Sequence, residues 1–208
     1  MKLGEIKVEA LKLMFADYAR DMSIESLPNL KEDENYATIL NSMPGAINRC
    51  FGRLEDAKVV PLREICLDNS EGVSGYGRIR FDLSKISDFL FVDRVIYEDE
   101  LEYDGNCDYT METNYIILLK ERAGAYSLVY VPAIERVTAG TDEDTDILLP
   151  ERLAAIIPYY IKSELYAGDE PSIAAEARNL FEATLESFRL ETGTKQSRIK
   201  NTYNQSEV

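Results

Sequence analysis

Apolar residues recur every three or four positions at both ends of the chain and alternate through its middle. Between residues 5 and 21, Ile6, Leu11, Met14, Phe15 and Tyr18 fall at helical spacing with Lys and Glu between them, which predicts a first helix. "SIESLPNLKEDEN" interrupts with Pro28 and a charged run, and Asp33 or Asn35 can cap a second helix. That helix carries Tyr36, Ile39, Leu40, Met43, Ile47, Cys50, Phe51 and Leu54 on one stripe. After Ala57 the period changes. "KVVPLREICL", "GRIRFDL", "DFLFVDRVIYED", "METNYIILLK" and "AYSLVYVPAI" are short, β-branched and aromatic, and set apart by Gly, Asn, Asp or Ser. They predict five or six strands between 58 and 138. "KERAGAY" offers a hairpin, with Gly124 able to take a positive φ. Helical spacing returns with Leu153, Ile156, Ile157, Tyr160, Ile161 and Leu165, stopping near Gly168. A last helix opens at 169–171 and runs through Ile173, Ala177, Leu180, Phe181, Leu185 and Phe188.

Two helices, a block of strands and two helices make an α+β fold. No helix is available for parallel crossovers, so the strands pair mostly antiparallel. Neither helix pair can bury its stripe alone, which predicts one four-helix bundle with an inserted β-sandwich or barrel. The expected domains are 1–57 with 146–192 for the bundle and 58–140 for the β insert. The polar stretch 193–208, with Lys195, Arg198 and Lys200 and no core pattern, is expected to be a flexible tail. Pro44 and Pro158 interrupt helices whose apolar phase is the same on both sides. A proline there removes one backbone bond and costs about 3 kcal/mol, so each predicts a kink within one continuous helix.

Composition narrows the chemistry. The 45% hydrophobic content suits a globular core, and no apolar run approaches a membrane span. Lys and Glu interrupt the apolar residues of the N-terminal stretch, unlike a signal peptide. A soluble chain of intracellular synthesis, without a membrane partner, is the expectation. There is no histidine, which removes the commonest general base and a favoured metal ligand. Cys50, Cys66 and Cys107 form no CxxC pair and read as buried free thiols. The net charge of −15 disfavours binding to nucleic acid phosphates.

Local motifs read as structural. Asp93, Glu98, Asp99, Glu100, Glu102, Asp104 and Asp108 make an acidic run without EF-hand spacing. A solvated hairpin is the simpler reading, a divalent-cation site the alternative. Gly72, Gly75 and Gly77 lack the lysine and following helix of a phosphate loop. The acids of "GTDEDTD" stand just before a helix and fit its positive end. Tyr159, Tyr160 and Tyr166 suit either a core or a subunit contact. No nucleophile with its base, zinc spacing or nucleotide fingerprint is present, so neither catalytic residues nor a cofactor or metal is expected, and the chain does not read as an enzyme.

Three stretches carry a resemblance: "AYSLVYVPAIERVT", "GTDEDTDILLPERL" and "AAIIPYYIKSELYAGDEPSIAAEARNLFEATLESF". This order of late strand, acidic linker, Tyr-Tyr helix, acidic turn and last helix resembles the head-to-tail adaptor proteins of tailed bacteriophages, which include the tail tubular A, or gatekeeper, type. The likeness covers about residues 88–190, and the N-terminal helices agree in pattern alone. It implies a structural virion protein at the head–tail junction, assembled in the host cytoplasm. Such a chain would form a twelvefold ring on the portal protein, extend the DNA channel and receive the next tail or head-closure protein, with double-stranded DNA only as passing cargo. The tail would then dock on the portal through Lys195, Arg198, Ile199, Lys200 and Tyr203. Tyr159, Tyr166, Glu98, Asp99 and Glu100 would face a neighbouring subunit or tail component. A head-closure or tail-completion protein is the alternative within virion proteins. A small-molecule or cation-binding domain using the 98–108 acids is the alternative outside them.

Overall fold

Capping and burial explain where the helices begin. In the computed structural model, residues 1–15, 21–68, 79–97, 101–103, 109–118 and 125–196 are described; of these, side chains at 68, 79, 101–103, 118 and 191–196 are not. Helix α1 (Leu3–Met14) buries Leu3, Ile6, Val8, Ala10 and Leu11, and the Glu5 carboxylate accepts the Lys2 N–H at 2.7 Å. The predicted interruption at Pro28 is instead a 3₁₀ turn, Ile24–Ser26, leading into a short helix α2 (Leu27–Glu32). Pro28 stands in the first turn of α2, where a backbone N–H has no helical partner to lose. The Asp33 carboxylate caps α3 (Glu34–Asp56) by accepting the Asn35 N–H at 2.9 Å. Leu40, Met43, Ile47, Cys50, Phe51 and Leu54 are buried along α3, each large apolar one contributing roughly 1.5–3 kcal/mol by leaving water. The helix runs unbroken through Pro44, whose ring is itself buried.

Pro158 corrects the expectation of one kinked helix. The chain forms a four-residue helix α4 (Glu151–Ala154), whose last ladder bond runs from the Ala155 N–H to the Glu151 carbonyl at 2.9 Å. It departs from the ladder at Ile156, whose N–H reaches the Leu153 carbonyl at 3.4 Å, and restarts as α5 (Ile157–Leu165). Pro158 thereby falls in the first turn of α5, where its missing N–H does not break a ladder bond. Helix α6 (Pro171–Gln196) passes through Gly193, beyond the predicted end at 192. One glycine costs only about 1 kcal/mol in a helix already propagating. Helix α5 is the centre of the bundle, packing on α1, α3 and α6.

The chain divides into a helical unit, Met1–Val59 with Val137–Val208, and a strand unit, Val60–Arg136. The strand unit contains seven strands among the described residues: β1 (Arg63–Asp68), β2 (Ile79–Asp82), β3 (Phe89–Tyr97), β4 (Leu101–Tyr103), β5 (Tyr109–Glu112), β6 (Tyr115–Leu118) and β7 (Ala125–Pro132). All pair antiparallel, in a four-stranded sheet of order β1-β7-β3-β4 and a three-stranded sheet of order β2-β6-β5. The predicted single strand over "METNYIILLK" is two, turned at Thr113-Asn114 so that Glu112 faces Tyr115. The predicted "KERAGAY" turn, with Gly124, lies outside the described residues, and the strands on its two sides, β6 and β7, are placed in different sheets rather than paired as a hairpin. Strand β6 is satisfied by β2 and β5, and β7 by β1 and β3, so neither has an edge for the other. Val95, Tyr126, Leu128 and Tyr130 of one sheet pack with Tyr109 and Ile116 of the other and with Leu83, making a sandwich core. The Phe81 and Tyr126 rings, 5.9 Å between centroids, span it.

The chain re-enters the helical unit through a two-point clasp. The Asn48 side chain of α3 donates to the Val137 carbonyl at 2.8 Å and accepts the Val137 N–H at 2.9 Å. The sequence predicts that the acidic segment that follows caps the helix after it. It lies instead against α1: the Leu3 and Gly4 N–H groups donate to the Thr145 and Glu143 carbonyls at 2.9 and 2.8 Å. Those are the donors that a helix start leaves open, and backbone carbonyls meet them here, while the Glu143 and Asp144 carboxylates hold lysines. Gly4 makes this possible, because a Cβ there would stand 3.1 Å from the Glu143 carbonyl oxygen and from Ile24 Cγ2.

Candidate interaction surfaces

Helix α5 positions the two tyrosines predicted for an interface. Burying Ile157, Tyr160 and Ile161 leaves Tyr159 and Tyr166 half-buried. The Tyr166 hydroxyl donates to the Met14 carbonyl at 2.8 Å, and Lys162 Nζ donates to the Leu13 carbonyl at 2.7 Å. Both close carbonyls at the end of α1, where a cation also meets the negative end of the dipole. Tyr166 is thus engaged within the chain.

Charged residues on the helical unit are knit to one another. Glu164 accepts from Arg49 at 2.8 Å and also from Arg178. The Arg178 guanidinium lies 4.1 Å from the centre of the Tyr160 ring. Arg53 forks onto both oxygens of Glu182, at 3.1 and 2.7 Å, and these hydrogen bonds hold the Glu182 carboxyl below its ordinary range. Burial pushes the Cys50 thiol upward, away from a reactive thiolate, whereas Cys66, predicted to be buried, is exposed on β1. This arrangement ties α3, α5 and α6 together; its carboxylates already hold arginines and are poorly placed for acid–base work.

The periodicity misassigned one face of α6. Ala174, Ala177, Phe181 and Leu185 are buried, whereas Ile173 and Leu180, predicted for the core, are exposed. Seven residues apart, they share one outward side, and Leu190 is exposed further along. Their outward phase relative to the Phe181 and Leu185 line was readable, but it was hidden among other apolar letters. Sequence reasoning also missed Lys7, Lys31 and Glu143. Glu143 Oε1 accepts from Lys7 Nζ at 2.8 Å and Lys31 Nζ at 2.9 Å, although the lysines stand on α1 and α2, far away in sequence.

The remaining predicted surface residues are only partly placed. Lys195 is in the last turn of α6, with its side chain outside the description. Arg198, Ile199, Lys200 and Tyr203 lie outside the described residues, as do Glu98, Asp99 and Glu100, Gly72, Gly75 and Gly77, and Cys107. Within the acidic run, Leu101–Tyr103 is strand β4, paired with β3. Among the described residues no group of three or more His, Cys, Asp or Glu is placed to hold a metal, and no helix is long and apolar enough to cross a membrane. No protein-family profile matches the chain, and no curated protein matches it.

Proposed function

We propose that this chain is a structural virion protein, a head-to-tail connector that forms a ring on the portal, continues the DNA channel and supports tail attachment. One observation carries the reading: helices from the two ends of the chain pack as one unit, with an antiparallel strand unit inserted between them. That is the architecture implied by the adaptor-like strand, acidic linker and helix pair. The charge of −15 suits the role, since a channel wall that repels phosphates lets DNA pass without holding it. The outward apolar residues Ile173 and Leu180 on α6 give the helical unit a side that a neighbouring copy can cover. Residues 194–208, with Lys195, Arg198 and Lys200, form the portal-docking element.

The test is to mix purified protein with the portal of the phage that encodes it and examine the product by electron microscopy. A ring seated on the portal is expected, and its loss is expected when 194–208 are deleted from a chain that still folds. A full-length protein that stays monomeric beside portal would reject the proposal, and a truncated one that still binds would reject the tail as the docking element.

A further inference from the structure

Residues 138–146 cross the first turn of α1 without an apolar anchor. Val137 and Ile147, at the two ends of the span, are buried, whereas none of the nine residues between them is. Polar contacts close the span over α1. Thr145 and Glu143 carbonyls accept from Leu3 and Gly4, and just past the span Ile147 N–H donates to the Met1 carbonyl at 3.0 Å. Asp144 pairs with Lys2 at 2.7 Å, with both side chains largely in water. Such an exposed pair is screened by solvent and adds little to closure. The Glu143 clamp differs, because Lys7 is only 2% exposed.

We propose that residues 138–146 are a lid that opens as a local unit over the start of α1, with Glu143 as the latch that keeps it shut. Opening uncovers no buried apolar residue of the span itself, so the span's own side chains add nothing to the hydrophobic term that resists unfolding of the bundle. The two lysines hold the carboxylate by charge-assisted bonds, which favour the closed lid. Glu143 Oε2 works against them: it is buried and has no hydrogen-bond partner among the described residues, so opening supplies the hydration that closure denies it. The lid closes on bare backbone at Gly4, with no side chain between. This proposal does not depend on the connector reading.

Amide hydrogen exchange on the full chain, followed by NMR, tests it. In the wild type, the amides of Leu3, Gly4 and Ile147 should exchange faster than those in the middle of α3, and by a route insensitive to low denaturant. In Glu143→Gln the three should speed up about tenfold or more relative to the α3 amides, as expected for weakening hydrogen bonds to a charged group. Lys31→Ala removes only the exposed half of the clamp and should accelerate the same three amides, which keeps the test open if Glu143→Gln fails to fold. The proposal is overturned if the three amides exchange with α3 in the wild type, or if the folded variants leave their rates relative to α3 unchanged.

Discussion

Single residues set the ends of helices in this protein, and two of them make measurable claims. Lys58 has φ 55, a left-handed conformation that costs a residue with a Cβ about 1–2 kcal/mol. It ends α3 in a Schellman turn: Lys58 N–H donates to the Glu55 carbonyl at 2.9 Å and Val59 N–H to the Leu54 carbonyl at 3.4 Å. Lys58→Gly is therefore expected to raise stability by about 1 kcal/mol in urea unfolding; a loss would show that the lysine side chain contributes more than its backbone costs. Glu143 makes the second claim. Burial pushes its carboxyl upward, but hydrogen bonds and charge from Lys7 and Lys31 outweigh this and leave it below the ordinary carboxylate range. A depressed carboxylate stabilises the fold fully above its unfolded pKa, and the contribution is lost as pH falls through the folded one. The stability gap between wild type and Glu143→Gln should be full near neutrality and should close in acid below the ordinary carboxylate range. A gap that stays constant would mean that Glu143 acts through shape, not charge.

At the scale of elements, α1 is held at both ends by segments distant in sequence. Its first N–H groups meet the 143–145 carbonyls, and its last carbonyls meet Lys162 and Tyr166. Tyr166→Phe leaves the Met14 carbonyl without the hydroxyl and should cost about 1 kcal/mol in thermal or urea unfolding. No measurable change would place water there at equal strength. The helix stripes and the Asp33 cap were legible because period and capping are local properties. The two proline interruptions share a letter pattern and differ in outcome, since nothing local says whether a helix continues past the ring. Pro44 stays in a helix with buried residues on both sides, whereas Pro158 stands in the first turn of a new one after Ile156 leaves the ladder.

At the scale of the whole molecule, charge is the governing quantity. With 38 acids against 23 bases, self-repulsion opposes compaction more than the exposed ion pairs favour it. Raising ionic strength to about 0.1 M shortens the screening length to about 10 Å. The melting temperature should accordingly rise with added salt; a fall would mean that pairs such as Arg53 with Glu182 outweigh the repulsion. The same charge predicts no retention on double-stranded DNA at physiological ionic strength, which a filter-binding assay checks.

Residue order alone determined the alternation of helical and strand periods, the antiparallel character of the strands and the excess of acid, because each depends on neighbours in the chain or on a sum over it. Tertiary structure decided which strands share a sheet, which apolar residues of α6 face outward, and where the acids of "GTDEDTD" are used. Those outcomes depend on partners brought from elsewhere: β6 and β7 follow one another yet join different sheets, and Glu143 meets Lys7 across 136 positions. A carboxylate seven residues before a proline reads as solvent-facing or capping until the fold places a buried ammonium beside it, and leaving that ammonium unpaired is a cost that favours holding residues 138–146 on α1.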